Sequence, residues 1–168
     1  RDIIPRLFSD ADFAGCGDSM RSTSGIHSVI RGENTSFPVS GASKKQGCVS
    51  HSTTEAELVA ADTAFRTSGL PLLDLWERFT GASAHLYFHE DNKAMLDIIR
   101  TGRNPTLRYI SRSQGVAIKW LNEVYQKENV HPLYTSTSLM AADIYTKSFT
   151  DAGKWVSLCE QINVGPLE

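Results

Sequence analysis

The fold is decided by residues 52–64, which read STTEAELVAADTA. Ser52 with Glu55 forms a capping box, in which a hydroxyl and an acid satisfy free N–H groups of a first helical turn, so a helix is predicted to begin here. Glu57 follows, and its neighbours three, four and seven positions later are all alanine, so its carboxylate lies on the face that packs against other structure. Such an acid is costly unless it is paired or bound to a metal. Attraction to the helix dipole is the alternative explanation, worth only ~0.3–1 kcal/mol.

Composition indicates one globular domain. The chain has 168 residues, of which 40% are hydrophobic and 21% charged, enough to bury a core without disulfides. The formal net charge is −2, which argues against a strongly basic nucleic-acid-binding protein. Contacts to phosphate must therefore come from local basic clusters, which are Arg21, Lys44 with Lys45, and the run from 103 to 112.

The remaining global features limit where the protein works. Three cysteines, far apart and without a C-x-x-C pair, indicate neither a disulfide framework nor a zinc site, so we expect a reducing intracellular compartment. No apolar run approaches the roughly 18–20 residues of a membrane span, and no secretory leader opens the chain. The first residue is not methionine, which indicates a piece of a longer protein.

The order of secondary-structure signals is that of an α/β domain. Alternating apolar residues and turn signals predict three hairpin-linked strands, near 7–9, over 23–31, and over 35–40 with 44–50. The helix from 52 is predicted to run to 67, where the sequence SGLP at 68–71 breaks or bends it. There follow a helical pattern over 72–79, a strand over 84–89, a short helix over 94–99, a long helix over 110–127, a strand over 130–134, a helical turn containing Asp143, and a last helix capped by Asp151.

Four acids occupy strand ends and helix starts in this pattern. Asp10 and Asp91 end strands, while Glu57 and Asp143 lie in the first turns of helices. Because such positions meet on one edge of an α/β layer, the four carboxylates are expected to converge. Convergent carboxylates need cations, and ligation by oxygen alone favours Mg²⁺ or Mn²⁺ over zinc. Two such ions catalyse in-line phosphoryl displacement, so the residues themselves indicate metal-dependent phosphodiester hydrolysis.

Six short motifs carry a resemblance to a known family. They are FSDADFAG (8–15), RSTSG (21–25), SKKQ (43–46), STTEAE (52–57), HEDN (89–92) and ADIYTK (142–147). In this order they resemble the ribonuclease H domain of copia-type LTR retrotransposon polyproteins, over about residues 7 to 149. The resemblance implies a ribonuclease H-like α/β fold, with a five-stranded mixed sheet in the order 3-2-1-4-5 and helices on both faces. Together with the length of the chain, it predicts a single domain over 1–168, with a core over about 7–149 and a C-terminal helical extension over 150–168.

The resemblance implies a function as well. Asp10, Glu57, Asp91 and Asp143 would be catalytic metal ligands for two Mg²⁺ ions, for which Mn²⁺ can substitute. Asp10 would bridge both ions, Asp143 would help to hold one, and Glu57 and Asp91 the other. The activity would be hydrolysis of the RNA strand of RNA–DNA hybrids during reverse transcription, leaving 5′-phosphate and 3′-hydroxyl ends. The partner would be the reverse transcriptase domain of the same polyprotein, and the isolated domain would be monomeric. The location would be the cytoplasmic retroelement particle, with the nucleus as an alternative.

Residues for substrate binding follow from the same resemblance. Small hydroxyl side chains read the 2′-hydroxyls of RNA across a wide minor groove, a role that fits Ser52, Thr53 and Thr54. Phosphate contacts are expected from Arg21, Ser22, Thr23, Lys44 and Lys45. Capping is the alternative for the first group, and a solvated polar face is the alternative for the second.

Three more acids lie beside the expected ligands, and two other functions stay open. The acids are Asp12, Glu55 and Glu90, and strand alternation alone does not separate Asp12 from Asp10. One alternative function is a catalytically silent scaffold or nucleic-acid-binding module, whose sequence sign would be lost ligands. The other keeps the fold but changes the reaction, as in integrases, resolvases or proofreading exonucleases, and the position of Glu57 together with the motifs argues against it.

Overall fold

Five strands form one mixed sheet in the computed structural model, which describes residues 3–103 and 112–165. The strand order is β3-β2-β1-β4-β5, as predicted. β1 pairs antiparallel with β2 and β2 with β3, whereas β4 runs parallel to both β1 and β5. The carboxyl ends of β1 and β4 therefore open on the same edge of the sheet. The strands are β1 (Ile4–Asp12), β2 (Thr23–Gly32), β3 (Thr35–Lys45), β4 (Leu86–Glu90) and β5 (Val130–Tyr134).

The third strand differs from the prediction. β3 runs without interruption to Lys45, and residues 46–52 form a loop rather than a strand over 44–50. The chain leaves the sheet at Gln46, whose backbone N–H still bonds Ser22 O at 2.8 Å while its side chain is buried. The buried side chain of Gln46 thus follows the last residue of the strand, a tertiary arrangement that alternation of residue types does not reveal.

The helix of the capping box also runs on further than predicted. α1 (Thr53–Ala64) continues through a π-helical segment (Phe65–Gly69) into α2 (Leu70–Thr80), so the chain stays helical across the expected break. Pro71 is near the start of α2, which directly follows the π-helical segment. A Cβ on Gly69 would lie 2.6 Å from Leu7 Cδ2, so glycine lets this wide turn approach β1 closely.

The second half of the chain adds three helices and two short turns. Asn92 caps α3 (Lys93–Thr101), and Asp151 caps α5 (Ala152–Gln161) as predicted, by accepting from the backbone N–H of Gly153 at 2.8 Å. α4 is Arg112–Tyr125, and 3₁₀ turns cover Thr137–Leu139 and Ala141–Tyr145. Residues 104–111, which include Arg108 of the basic run and the predicted start of a helix at 110, lie outside the described residues.

Two cores cover the two faces of the sheet. Leu7 and Phe88 pack with residues of α1 to α4, which form the larger core. Phe8 points to the opposite face and packs against Val29 and Met140, where the second 3₁₀ turn covers the sheet. Among the described residues no helix is both long and apolar enough to cross a bilayer.

Candidate active site

The four acids expected to be metal ligands come together at the carboxyl edge of β1 and β4. Oxygens of Asp10, Asp91 and Asp143 lie within 4.8 Å of one another, and oxygens of Glu57, Glu90 and Asp91 do the same. Asp91 belongs to both groups, so it joins them into one acidic site. The site opens into a cavity of about 590 Å³ lined by Asp10, Glu57 and Asp91 together with Thr53, Tyr134, Thr137 and Lys147.

One side of the acidic site is held by a lysine. Lys147 Nζ lies 2.7 Å from Asp143 Oδ1 and 3.4 Å from Asp10 Oδ1, and the Thr146 hydroxyl donates to Asp10 Oδ2. Asp10 and Asp143 are both buried, at 2% and 0% exposure, so the lysine offsets charges that water cannot reach. Lys147 belongs to the ADIYTK motif, but sequence reasoning gave it no role.

The other side has no such cation. Glu57 is 3% exposed and Glu90 is fully buried, and neither has an ion-pair partner among the side chains that the structure describes. Glu57 Oε2 is buried without any hydrogen-bond partner there, as is Asp143 Oδ2. Unpartnered buried carboxylate oxygens beside other acids are what a divalent cation would satisfy, so the residues present fit the expected metal.

Burial and mutual repulsion shift the pKa of these groups. Burial, and then the charges of Glu90 and Asp10, raise the pKa of Glu57 well above its ordinary value. Burial likewise raises the pKa of Glu90. Burial raises the pKa of Asp143 to about 6, although the hydrogen bond from Lys147 opposes the shift. In the absence of a metal, burial therefore favours protons on these carboxylates.

Two residues outside the acid set position the elements that carry it. Gln46 donates from Nε2 to Ser24 Oγ at 3.0 Å and to Ala56 O at 2.9 Å, which ties β2 to the helical turn that carries Glu57. A Cβ on Gly25 would lie 2.6 Å from Ala142 O, so glycine there allows the turn bearing Asp143 to pack on β2. Sequence reasoning gave neither residue a role, although Gln46 belongs to the SKKQ motif and Gly25 to the RSTSG motif.

The neighbouring acids have different surroundings. Glu55 completes the helix cap, since its Oε2 accepts from the backbone N–H of His51 at 2.5 Å and its own N–H donates to Ser52 Oγ. Asp12 folds over the following turn, where its Oδ2 lies 1.5 Å from the place that a Cβ on Gly15 would take. Neither acid joins the two groups described above, whereas Glu90 does.

The loop expected to contact phosphate is only partly accessible. Arg21 is exposed and Thr23, the first residue of β2, is half-buried. Ser22 is fully buried, and its hydroxyl accepts from the backbone N–H of Ala14 at 3.1 Å. Its side chain therefore holds the loop together and does not reach the surface, so its position does not support a contact with nucleic acid.

Lys44 and Lys45 are exposed at the end of β3. Through β2 they are in register with Ala11 and Asp12, so they lie on the same edge of the sheet as the acids. Lys45 Nζ also lies 2.9 Å from Cys16 Sγ. The two cations are accessible beside the site, as phosphate contacts require.

The three hydroxyl residues that precede Glu57 divide between two roles. Ser52 is half-buried and accepts from the helix backbone as the N-cap, so its oxygen is already in use. Thr53 is exposed and lines the cavity with the acids, while Thr54 is half-buried. Of the three, Thr53 is best placed to touch a substrate.

Comparison with solved structures identifies the fold. The chain superposes on an RNase H1 isolated from compost by a metagenomic approach with a TM-score of 0.50, at 14% identity over 86% of this chain and 94% of that one. The N-terminal RNase H domain of a Mycobacterium tuberculosis protein gives 0.52, at 14% identity over 86% and 91% of the two chains. A foamy viral protease-reverse transcriptase also gives 0.52, at 13% identity over 93% and 90%. The chain therefore has a ribonuclease H-like fold.

A sequence match to one curated protein points to retrotransposon polyproteins. The chain is 28% identical over 151 residues to the retrovirus-related Pol polyprotein from transposon TNT 1-94 of Nicotiana tabacum, which confirms the resemblance to retrotransposon polyproteins as a distant one. The match covers 87% of this chain and 10% of that polyprotein, so the chain spans about a tenth of the length of its relative. No protein-family model matches the chain.

Proposed function

We propose that the chain is a metal-dependent endonuclease that hydrolyses the RNA strand of RNA–DNA hybrids during reverse transcription of a retroelement. The observation that carries the proposal is the convergence of buried carboxylates from β1, α1, the end of β4 and a 3₁₀ turn, with oxygens that lack hydrogen-bond partners. The ribonuclease H-like fold and the similarity to a retrotransposon Pol polyprotein support it.

The ligands in this proposal are Asp10, Glu57, Asp91 and Asp143. Asp10 is assigned to both cations, Asp143 to one, and Glu57 with Asp91 to the other. Their all-oxygen donor set suits Mg²⁺, and Mn²⁺ is expected to substitute. When bound, two such ions activate water and stabilise the leaving oxygen, which gives 5′-phosphate and 3′-hydroxyl ends.

The protein side chains bind and orient the hybrid. Thr53, exposed at the cavity, is assigned to a 2′-hydroxyl of the RNA strand, with Ser52 and Thr54 beside it. Phosphates are assigned to exposed cations on the same edge of the sheet and to a neighbouring hydroxyl, which are Arg21, Lys44, Lys45 and Thr23. Ser22 is left out because it is buried.

The proposed setting is a polyprotein. We assign residues 1–168 to one domain that works beside a reverse transcriptase domain in a cytoplasmic retroelement particle. A net charge of −2 predicts weak, salt-sensitive binding by the isolated domain. A covalently attached neighbour would raise the local concentration of hybrid and compensate for that weakness.

The test is cleavage of a hybrid with a labelled RNA strand in Mg²⁺ or Mn²⁺, beside duplex RNA and duplex DNA. Cleavage confined to the RNA strand of the hybrid, dependent on metal and lost in Asp10→Asn, is the expected result. Asp97→Asn is the matched control, because Asp97 is an exposed acid on α3 that pairs with Arg100 away from the site. An Asp10→Asn protein that cuts as fast as wild type would contradict the assignment of the ligands.

The same samples address the alternative of a catalytically silent scaffold. Binding of hybrid without cleavage, under conditions in which the folded protein also binds Mn²⁺, would favour the scaffold. Cleavage of duplex DNA in preference to hybrid would instead favour a nuclease of the same fold with another substrate.

A further inference from the structure

The acidic site has two halves with different charge compensation. The first half, Asp10 with Asp143, is paired with the ammonium group of Lys147, whose Nζ lies within 3.4 Å of an oxygen on each acid. The second half, formed by Glu57, Glu90 and Asp91, forms no ion pair with the described side chains. Glu90 has no place in the four-acid ligand set, yet it is the most deeply buried member of the second half.

Glu90 receives only neutral hydrogen-bond donors. The Ser9 hydroxyl donates to its Oε2 at 3.1 Å, and the backbone N–H of Asn92 donates to its Oε1 at 3.1 Å. These bonds fix the carboxyl group but bring no positive charge. Glu57 contributes a buried Oε2 that has no hydrogen-bond partner in the described part of the chain. Two buried carboxyl groups side by side, one of them with an unsatisfied oxygen, form a site where a cation can replace the protons that burial favours.

We propose that Glu90 is a fifth carboxylate of the metal site, and that a divalent cation binds first to the half formed by Glu57, Glu90 and Asp91 when nucleic acid is absent. This inference deepens the proposed function and rests on it. The ligand oxygens of the half lie within 4.8 Å of one another, whereas ligands on opposite sides of a Mg²⁺ ion are about 4.2 Å apart. Small rotations of side chains therefore suffice to close the site.

The order of binding follows from the lysine. A cation entering the half of Asp10 and Asp143 must compete with the ammonium group already there. A cation entering the half of Glu57, Glu90 and Asp91 meets three carboxylates that form no ion pair among the described side chains, because Lys93 and Lys147 line the cavity without pairing with them. Coulombic attraction therefore favours the second half for the first ion.

The test is a titration of the nucleic-acid-free protein with Mn²⁺. Calorimetry measures the binding, and electron paramagnetic resonance measures the concentration of free ion. Glu90→Gln keeps the size of the side chain, an acceptor for Asn92 and a partner for Ser9, but removes the charge. We expect it to weaken binding of the first ion by roughly ten- to a hundredfold. Glu55→Gln is the matched control, since Glu55 is another buried acid that serves the helix cap and belongs to neither acidic group. The Mn²⁺ affinity of this variant is expected to equal that of wild type.

A Glu90→Gln protein that is folded and binds the first Mn²⁺ ion with wild-type affinity would overturn the inference, because Glu90 would then be a hydrogen-bonding residue alone. Glu90→Asp serves if the glutamine variant does not fold. It keeps the charge but withdraws the oxygens by one methylene, so a several-fold weaker first ion is expected, and unchanged affinity would again overturn the inference.

The titration contains no hybrid, so its outcome is separate from that of the cleavage assay. Mn²⁺ binding that depends on Glu90 in a protein that never cuts hybrid would contradict the proposed function and retain the metal assignment. If the protein cleaves hybrid but Glu90→Gln binds Mn²⁺ as tightly as wild type, the proposed function stands and Glu90 is not a metal ligand.

Discussion

Gly25 is the register partner of Asp10 across β1 and β2, and no larger residue fits there without displacing its neighbours. A Cβ at this position would lie 2.6 Å from Ala142 O and 2.6 Å from Thr146 Cγ2. The absence of a side chain lets the turn that carries Asp143 pack on β2, which brings the Asp143 carboxylate to Asp10.

Gly25→Ala is therefore predicted to push this turn away from the sheet. We expect a loss of about 1–3 kcal/mol in the free energy of unfolding, as for other overpacked interiors, and weaker Mn²⁺ binding. Urea unfolding and Mn²⁺ titration measure the two effects. Gly47→Ala is the matched control, because a Cβ there meets nothing within 4 Å, and both properties should stay near wild type. Unchanged Mn²⁺ affinity in Gly25→Ala would show that Gly25 does not position the acids of the site.

Lys147 gives a second prediction, about the protein without metal. Lys147→Met removes the ammonium group between Asp10 and Asp143, and leaves two buried carboxylates without compensation. Because the lysine is 34% exposed, we expect a loss of about 1–3 kcal/mol in metal-free buffer rather than the full cost of breaking a buried pair. Added Mg²⁺ should then raise the melting temperature more in the variant than in wild type, since the cation meets no competitor.

Differential scanning calorimetry with EDTA and with Mg²⁺ measures both effects, and Lys154→Met, at a lysine on α5 that does not touch Asp10 or Asp143, is the control. A smaller Mg²⁺ effect in Lys147→Met than in wild type would show that the lysine helps the metal to bind rather than competing with it.

The family resemblance implied the strand order, which the structure confirms. The residue pattern found four acids that the structure brings together, because each acid lies at a strand end or in the first turns of a helix. Sequence reasoning treated Glu90 as a neighbour of the ligands, since two adjacent acids at a strand end do not reveal which one enters the interior. The structure shows that Glu90 points to the α1 side with Ser9, a consequence of the β1–β4 register. It left Lys147 without a role, because a lysine four residues after an acid is normally a solvent-exposed helical pair.

His27 gives a prediction about acid stability. It is 1% exposed, its Nδ1 lies 3.1 Å from the Tyr145 hydroxyl, and burial followed by the charge of Arg31 lowers its pKa to about 4. The unfolded chain takes up a proton near pH 6.5 while the folded protein resists until about pH 4, so stability is complete above pH 6.5 and is lost as the pH falls. The loss attributable to His27 is on the order of 3 kcal/mol at pH 4.

The comparison that isolates this effect is with His27→Gln, which can still bond Tyr145 but does not titrate. The variant should be less stable than wild type at pH 7, and its free energy of unfolding should fall less between pH 7 and pH 4.5. Urea unfolding at a series of pH values measures both curves. Parallel curves for the two proteins would place the acid sensitivity elsewhere.

Cys16 gives the last prediction, which concerns reactivity. Lys45 Nζ donates to Cys16 Sγ at 2.9 Å, and this hydrogen bond together with those around Ser19 lowers the pKa of the thiol to about 6. At pH 7 Cys16 is therefore mainly a thiolate, the form that reacts with alkylating agents. Iodoacetamide should modify Cys16 before Cys48, which is exposed, and peptide mass spectrometry measures both rates in one sample. Lys45→Gln should slow the modification of Cys16 by roughly tenfold and leave Cys48 unchanged as an internal control. Equal slowing at both cysteines would mean that the variant alters the fold, and no slowing at Cys16 would mean that Lys45 does not stabilise its thiolate.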